Sequence, residues 1–188
     1  MEITRRGLLK SAGLGLAVAA VPGVVRARNL SSKLQVACVG VDGMGFSDLS
    51  QVGAHPSVQF VGFCDIDANR FARADEKFPG VPHFRDYREM LATLGDTLDA
   101  VLVDTPDHMH APVAVAAMQL GKHVYCQKPL AHTAWECRQM RLWAEKAGVT
   151  TQMGNQIHSH VAYRLGTRLV RDGVIGKVRE VHSWIGVT

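Results

Sequence analysis

The 188-residue sequence has no Cys-x-x-C pair and no run of ligands at metal-site spacing; its four cysteines, Cys38, Cys64, Cys126 and Cys137, stand far apart. That pattern excludes a zinc module or a disulfide framework and leaves buried, hydrophobe-like thiols, even in an oxidising compartment. No apolar run reaches the ~20 residues that a membrane-spanning helix needs. Internal repeats and Ser/Pro-rich linkers are missing, and the 18 Gly and 7 Pro follow no period, which excludes collagen-like and low-complexity material. A broad basic surplus is lacking too. The net charge is +4, but residues 1–27 carry Arg5, Arg6, Lys10 and Arg26 against Glu2 alone, so the remainder is nearly neutral. Without a dense cation field there is little counterion release to drive nucleic-acid binding. What remains, 47% hydrophobic and 20% charged, is a chain able to bury the core of about one domain.

The first 27 residues have the layout of an export signal. Thr4-Arg5-Arg6-Gly7-Leu8-Leu9-Lys10 precedes a small, moderately apolar run from Ser11 to Val21, which Pro22 breaks, and Val25-Arg26-Ala27 offers small residues for cleavage. A charged start, a short apolar centre and such an end describe a secretory signal, and the paired arginines resemble the twin-arginine signal of bacteria. The expected location is periplasmic or otherwise exported, with no stable membrane insertion. An amphipathic N-terminal helix on a cytosolic protein is the rival reading.

From Leu34 onward, apolar runs alternate with helical stretches. Leu34–Gly40, Val58–Cys64, Leu98–Asp104, His123–Gln127 and Val149–Met153 read as strands, with Val81–Phe84 as a short one. Met44–Val52, Asp67–Phe78, Tyr87–Leu94, Ala111–Leu120, Ala134–Ala147 and His158–Arg171 read as helices. Strands apolar on both faces, alternating with helices, imply an α/β fold: a Rossmann-type doubly wound parallel sheet. Val178–Val187 alternates more loosely and reads as the first strand of a second domain. The expected organisation is a signal over 1–27, a nucleotide-binding domain over 34–155, and a linker helix with the start of a truncated second α/β domain over 156–188. Trp135, Met140, Leu142 and Trp143 on a helical stretch read as packing residues.

Four strand ends carry chemistry. Gly40-Val41-Asp42-Gly43-Met44-Gly45 joins the first strand to the first helix, and Asp65 follows Gly45 by 20 residues at the end of the second strand. Strand, glycine turn, helix and distant acid form the dinucleotide fingerprint: uncapped N–H groups meet the pyrophosphate and the acid takes the ribose hydroxyls. A carboxylate at 65 repels a 2′-phosphate, which favours NAD over NADP. Asp42 occupies the fingerprint's second glycine position, so its side chain has to turn away from the phosphates. Thr105-Pro106-Asp107-His108-Met109-His110 follows the strongest strand, where open sheets bind ligands. We take it as a cofactor-lining loop; metal binding by His108 and His110, or helix capping by Asp107, are the alternatives. In Gln127-Lys128-Pro129, a proline that can be cis directs Lys128 to the cleft as a substrate-binding proton relay; an ordinary surface lysine is the alternative. Gln152–His160 gathers amides and imidazoles suited to polyol hydroxyls, or to capping by Asn155 or Ser159.

Taken together, the glycine turn at 40–45, Asp65, Thr105-Pro106-x-x-x-His110, Lys128-Pro129 and Gly154-Asn155-Gln156 resemble the Gfo/Idh/MocA oxidoreductases, in particular exported bacterial members. The resemblance spans about residues 34–188. It implies a Rossmann domain that binds NAD(P) through Gly40, Gly43, Met44, Gly45, Asp65, Thr105, Pro106, His110, Gln127 and Asn155, completed by a C-terminal α/β domain. It implies further that Lys128 is catalytic, touching substrate and nicotinamide, and that His110 lines the nicotinamide side. Gln127 stands where many members have Glu, and the family's catalytic histidine generally comes from the second domain. The expected function is hydride transfer between nicotinamide and a sugar or polyol, this chain being the nucleotide-binding part and turning over little alone. The expectation involves no metal and no nucleic acid, and a homo-oligomer of the full-length protein is compatible with it. The alternatives are an NAD-dependent glycoside hydrolase of the same family and a non-catalytic nucleotide-binding fragment.

Overall fold

Strand β1 (Leu34–Val39) shows in miniature how the sequence places the core. Its last four residues are fully buried, and they alternate: Ala37 and Val39 join one hydrophobic cluster, Val36 and Cys38 the other. A strand with both faces covered must be apolar at every position. In the computed structural model, which describes residues 33–184, five more strands flank it: β2 (Val58–Cys64), β3 (His83–Phe84), β4 (Ala100–Val103), β5 (His123–Gln127) and β6 (Thr151–Gly154). All neighbouring pairs are parallel, in the order β3-β2-β1-β4-β5-β6. This is the doubly wound order, and its reversal between β1 and β4 opens a crevice at the strands' carboxyl ends.

Helices close both faces. On one side α1 (Met44–Val52) buries Leu49, and α2 (Ala72–Lys77) buries Ala74 against Phe60, Phe63 and Phe71. On the other, α3 (Tyr87–Leu94), α4 (His110–Gln119) and α5 (Ala134–Ala147) bring Met90, Leu91, Val113, Met118 and Met140 onto Val101, Val103 and Val124. Each such side chain contributes about 1.5–3 kcal/mol on burial. Helix α5 is punctuated at both ends by local chemistry. Thr133 and Glu136 form a reciprocal capping box, and Gly148 closes the helix in the left-handed conformation at φ 65°.

Several boundaries differ from the sequence reading. The stretch 67–78 divides into a 3-10 turn (Ala68–Phe71) and α2 because the Asp67 carboxylate takes the Asn69 N–H. The expected helix 158–171 breaks at His160, whose Nδ1 accepts the Ala162 N–H at 3.2 Å and so starts a new helix. The result is α6 (Gln156–Ser159) and α7 (Val161–Arg171). The expected strand from Val178 is absent from the described residues, where 177–184 carry no ladder: alternation alone makes no strand without a neighbour to bond. In α5, Met140 is buried and Trp143 packs on the core, but Trp135 and Leu142 are exposed, so half of that packing group faces water. Cys38, Cys64 and Cys126 are buried free thiols and Cys137 is half-buried. The export-signal expectation falls on residues outside those described.

Candidate cofactor site

The turn between β1 and α1 is shaped by backbone proximity. Gly40 lies at φ 86°, and a Cβ there would sit 2.5 Å from the Asp104 carbonyl oxygen. A Cβ on Gly45 would fall 2.0 Å from the carbonyl oxygen of Gly40. Only glycine lets the chain fold this tightly at the switch point. Gly43, at φ 57° and ψ −117°, begins α1 with no side-chain cap, and the space beside its Cα is open. The start of α1 therefore presents N–H groups and the positive end of the helix dipole to whatever occupies the crevice.

Asp42 stays at the edge of that turn, its carboxylate within reach of the Gly43 backbone N–H and on the wall of the cleft. Its carboxylate takes the Arg70 guanidinium at 2.7 Å and lies 3.5 Å from Arg73. The hydrogen bond from Arg70 holds its pKa below the ordinary carboxylate range. The departure from the glycine fingerprint is thus compensated by two cations that the sequence analysis overlooked. Their spacing of three on the segment after Asp65 is the signal that could have found them.

Beyond the turn lies a cleft of about 540 Å³ whose walls include Gly40, Gly43, Asp65, Ile66, Arg70, Arg85, Thr105, Pro106 and Met109. Asp65 is fixed by two backbone donors: Val41 N–H to Oδ2 at 3.2 Å and Asp67 N–H to Oδ1 at 3.1 Å. A carboxylate has about four acceptor sites, so two remain for a ligand hydroxyl. Ile66, beside it, is 80% exposed, a bare apolar surface on the cleft wall. Arg85 donates to the Ile66 carbonyl at 3.2 Å. Tyr87, His108 and the acidic Asp42, Asp67 and Asp104 also line it. Asp107 caps nothing with its side chain, which rejects that alternative.

The other expected residues gather on a second rim. Lys128 is exposed, joined to Pro129 by a cis peptide bond, and its Nζ engages no partner among the described residues. His110 is buried and ties two loops together, with Nδ1 2.6 Å from the Pro129 carbonyl oxygen and Nε2 2.7 Å from that of Thr105. It lies behind the cleft wall, so it acts on the site through those loops. Gln127 is buried, bonded to Asp48 on α1, and receives the Lys128 backbone N–H at 3.1 Å. Gly154 leaves room for it: a Cβ there would lie 2.8 Å from the Gln127 carboxamide carbon. Asn155 is exposed and caps no helix with its side chain, while the adjacent Gln156 reaches the Met44 sulfur at 3.8 Å, joining the β6 end to the glycine turn. Met44 itself is half exposed at the start of α1. Among the described residues no group of three or more His, Cys, Asp or Glu could hold a metal ion. Burial raises the Cys64 and Cys126 thiols to about 12, which makes them inert.

An uncapped helix start, a glycine cradle that a Cβ would fill, and a fixed carboxylate beside an open apolar wall fit a dinucleotide. Comparison with known proteins agrees. The Gfo/Idh/MocA family model, described as an oxidoreductase family with an NAD-binding Rossmann fold, matches residues 34–155. A glycosyl hydrolase family 109 protein of Shewanella sp. (strain ANA-3) is 31% identical over 77% of this chain and 33% of its own length. The myo-inositol 2-dehydrogenase of Lactobacillus plantarum superposes with a TM-score of 0.70 at 25% identity, covering 78% of this chain and 43% of that one. A 3-ketoreductase of Actinomadura kijaniata, solved with TDP-benzene and NADP, gives 0.70 at 26% identity over 79% and 46%. The chain therefore spans less than half the length of these relatives. With its parallel sheet, glycine cradle and Asp65 in the positions that such a sheet uses for nucleotides, this chain belongs to the Gfo/Idh/MocA oxidoreductase family.

Proposed function

We propose that this chain is the nucleotide-binding part of an NAD-dependent oxidoreductase acting on a sugar or polyol. The observation that carries the reading is the cleft wall where the Asp65 carboxylate, with acceptor sites to spare, stands between the glycine cradle and the bare surface of Ile66. Gly43, Met44 and Gly45 would hold the pyrophosphate with backbone N–H groups, Asp65 the adenosine ribose, and Ile66 and Met109 the faces of the base. The carboxylate at 65 favours the ribose diol of NAD over a 2′-phosphate. Arg85 and Arg70 on the same wall are the groups that would work against that preference.

A bound nicotinamide supplies the hydride acceptor. The chain's own residues prepare the place where it would work. His110 fixes the Thr105 and Pro129 carbonyls and so sets the spacing of the two loops. Lys128 Nζ would accept the proton of a substrate hydroxyl on its amine lone pair as the alcohol is oxidised, and release it to water. Asn155 offers an amide at the same rim.

Equilibrium dialysis of the 188-residue chain with NAD and NADP tests the reading. Binding of NAD in the micromolar range, tighter than NADP, is expected; a folded chain that retains neither defeats it. Asp65→Ala should erase the preference. A second reading, glycoside cleavage through transient oxidation, is favoured by the relative named as a family 109 glycosyl hydrolase. Release of a chromogenic aglycone by a full-length protein, without net NADH, separates it from a dehydrogenase.

A further inference from the structure

A polar chain links the ends of β4 and β5 to α1, buried at Asp48 and Gln127 and half-buried at Asp104. Asp104 ends β4, Asp48 sits one turn into α1, and Gln127 ends β5. Asp48 and Gln127 are 5% and 4% exposed. The Gln127 carboxamide N–H donates to Asp48 Oδ2, and its oxygen accepts the backbone N–H of Lys128 at 3.1 Å. One amide thus spends its donor on one neighbour and its acceptor on the next, which an ionised glutamate could not do. Gly154 packs against this carboxamide with no side chain of its own. At the far end, Asp104 Oδ1 is sealed from water and no protein donor reaches it. An ionised carboxylate would be stranded there, whereas one that carries a proton can donate a hydrogen bond to the Asp48 carboxylate, which lies within reach.

We propose that Asp104, Asp48 and Gln127 are positioning residues for Lys128: the Asp104 acid donates to the Asp48 carboxylate, which holds the Gln127 carboxamide, which in turn fixes the Lys128 backbone. The proposal rests on the reading of Lys128 as the residue facing cofactor and substrate. The titratable groups coupled to Asp104 are acids: Cys38 on β1, with Sγ 3.5 Å from Asp104 Oδ2, Asp48 on α1, and Tyr125 and Cys126 on β5. The bases nearby are His110, bonded to the Thr105 carbonyl, and Arg70, Arg85 and His108 on the cleft wall. Burial, then the charge of Asp48, push the Asp104 pKa up to about 8. Loss of its proton puts two carboxylates against each other and slackens the hold on Gln127.

The test follows the Lys128 amide resonance of the ¹⁵N-labelled 188-residue chain from pH 6 to 9.5, alongside NADH affinity by fluorescence at both ends of that range. The Lys128 amide is expected to titrate with a midpoint near 8, and NADH affinity to fall several-fold across it. Asp104→Asn, whose amide donates to Asp48 at every pH, should flatten both. Gln127→Glu, with no N–H for Asp48, should move the midpoint upward. A Lys128 amide that stays flat in the folded wild-type chain overturns the proposal, as does a titration unchanged in Asp104→Asn. A titrating Lys128 amide in a chain that binds no NADH supports the relay while removing the cofactor reading; NADH binding with a flat amide overturns the relay alone.

Discussion

A carboxyl group whose folded pKa lies above its unfolded value makes stability fall as pH rises. Asp104, raised to about 8 by burial and by Asp48, is such a group. Its contribution is fully present below about pH 4, the ordinary carboxyl value, and is lost progressively until about pH 8. Thermal unfolding between pH 5 and 9 should therefore show a falling midpoint in the wild type and a flatter profile in Asp104→Asn, the variant being the more stable at pH 9. Asp42 obeys the opposite sign, because Arg70 lowers its pKa. That pair is exposed and adds little to stability; its consequence is for binding. Arg70→Ala removes the nearer of the two counter-charges of Asp42 and leaves the carboxylate beside the glycine turn with Arg73 alone at 3.5 Å, where it would repel a pyrophosphate. NADH affinity should drop several-fold in Arg70→Ala and recover in the double variant Arg70→Ala/Asp42→Ala. An Asp42→Ala single variant that binds as weakly as Arg70→Ala would show that the carboxylate is a ligand group rather than a restrained liability.

At the scale of elements, the glycine turn and the α5 cap make a matched pair of tests. Gly45→Ala places a methyl 2.0 Å from the Gly40 carbonyl, so β1 and α1 must separate. The expected loss is about 3 kcal/mol or more, with NADH binding abolished. Thr133→Ala removes one side of a capping box on the far face and should cost about 1 kcal/mol, with NADH affinity unchanged. Chemical denaturation and NADH fluorescence read both effects. The glycine turn was legible in the sequence because it is local: glycines between strand and helix specify geometry within a few residues. Asp65 was legible because its distance from the glycines is fixed by one βαβ unit. What escaped is non-local. Asp48 and Asp104 lie 56 positions apart, and neither has a motif around it; only the stacking of β4, β5 and α1 joins them to Gln127. His110 was found as a motif residue, but its place behind the loops, between two carbonyls, was not. The strand expected from Val178 carries no ladder over the described residues up to 184, for the same reason in reverse, since local alternation cannot supply a partner.

At the scale of the whole molecule, charge is divided unevenly between two parts of the sequence. The nucleotide-binding part is nearly neutral, whereas the first 27 residues carry a surplus of three positive charges around Arg5-Arg6. A cytosolic amphipathic helix would depend on that charge, an export signal on the identity of the paired arginines. Replacing both by lysine keeps every charge and separates the two. If the segment is a twin-arginine signal, Arg5→Lys/Arg6→Lys should lower the exported fraction of the full chain more than tenfold in a bacterial fractionation assay, leaving cellular NADH binding intact. Retention of both the wild type and the lysine variant inside the cell would reject export and favour the helix, whereas equal export of both would leave an ordinary secretory signal. The same assay links export to the fold, because twin-arginine export accepts folded cargo. Gly45→Ala, which opens the sheet at its switch point, should be retained inside the cell with its signal uncut, while Thr133→Ala passes. If Gly45→Ala were exported as freely as the wild type, passage would not depend on this domain being folded, and the twin-arginine assignment would give way to an ordinary secretory one.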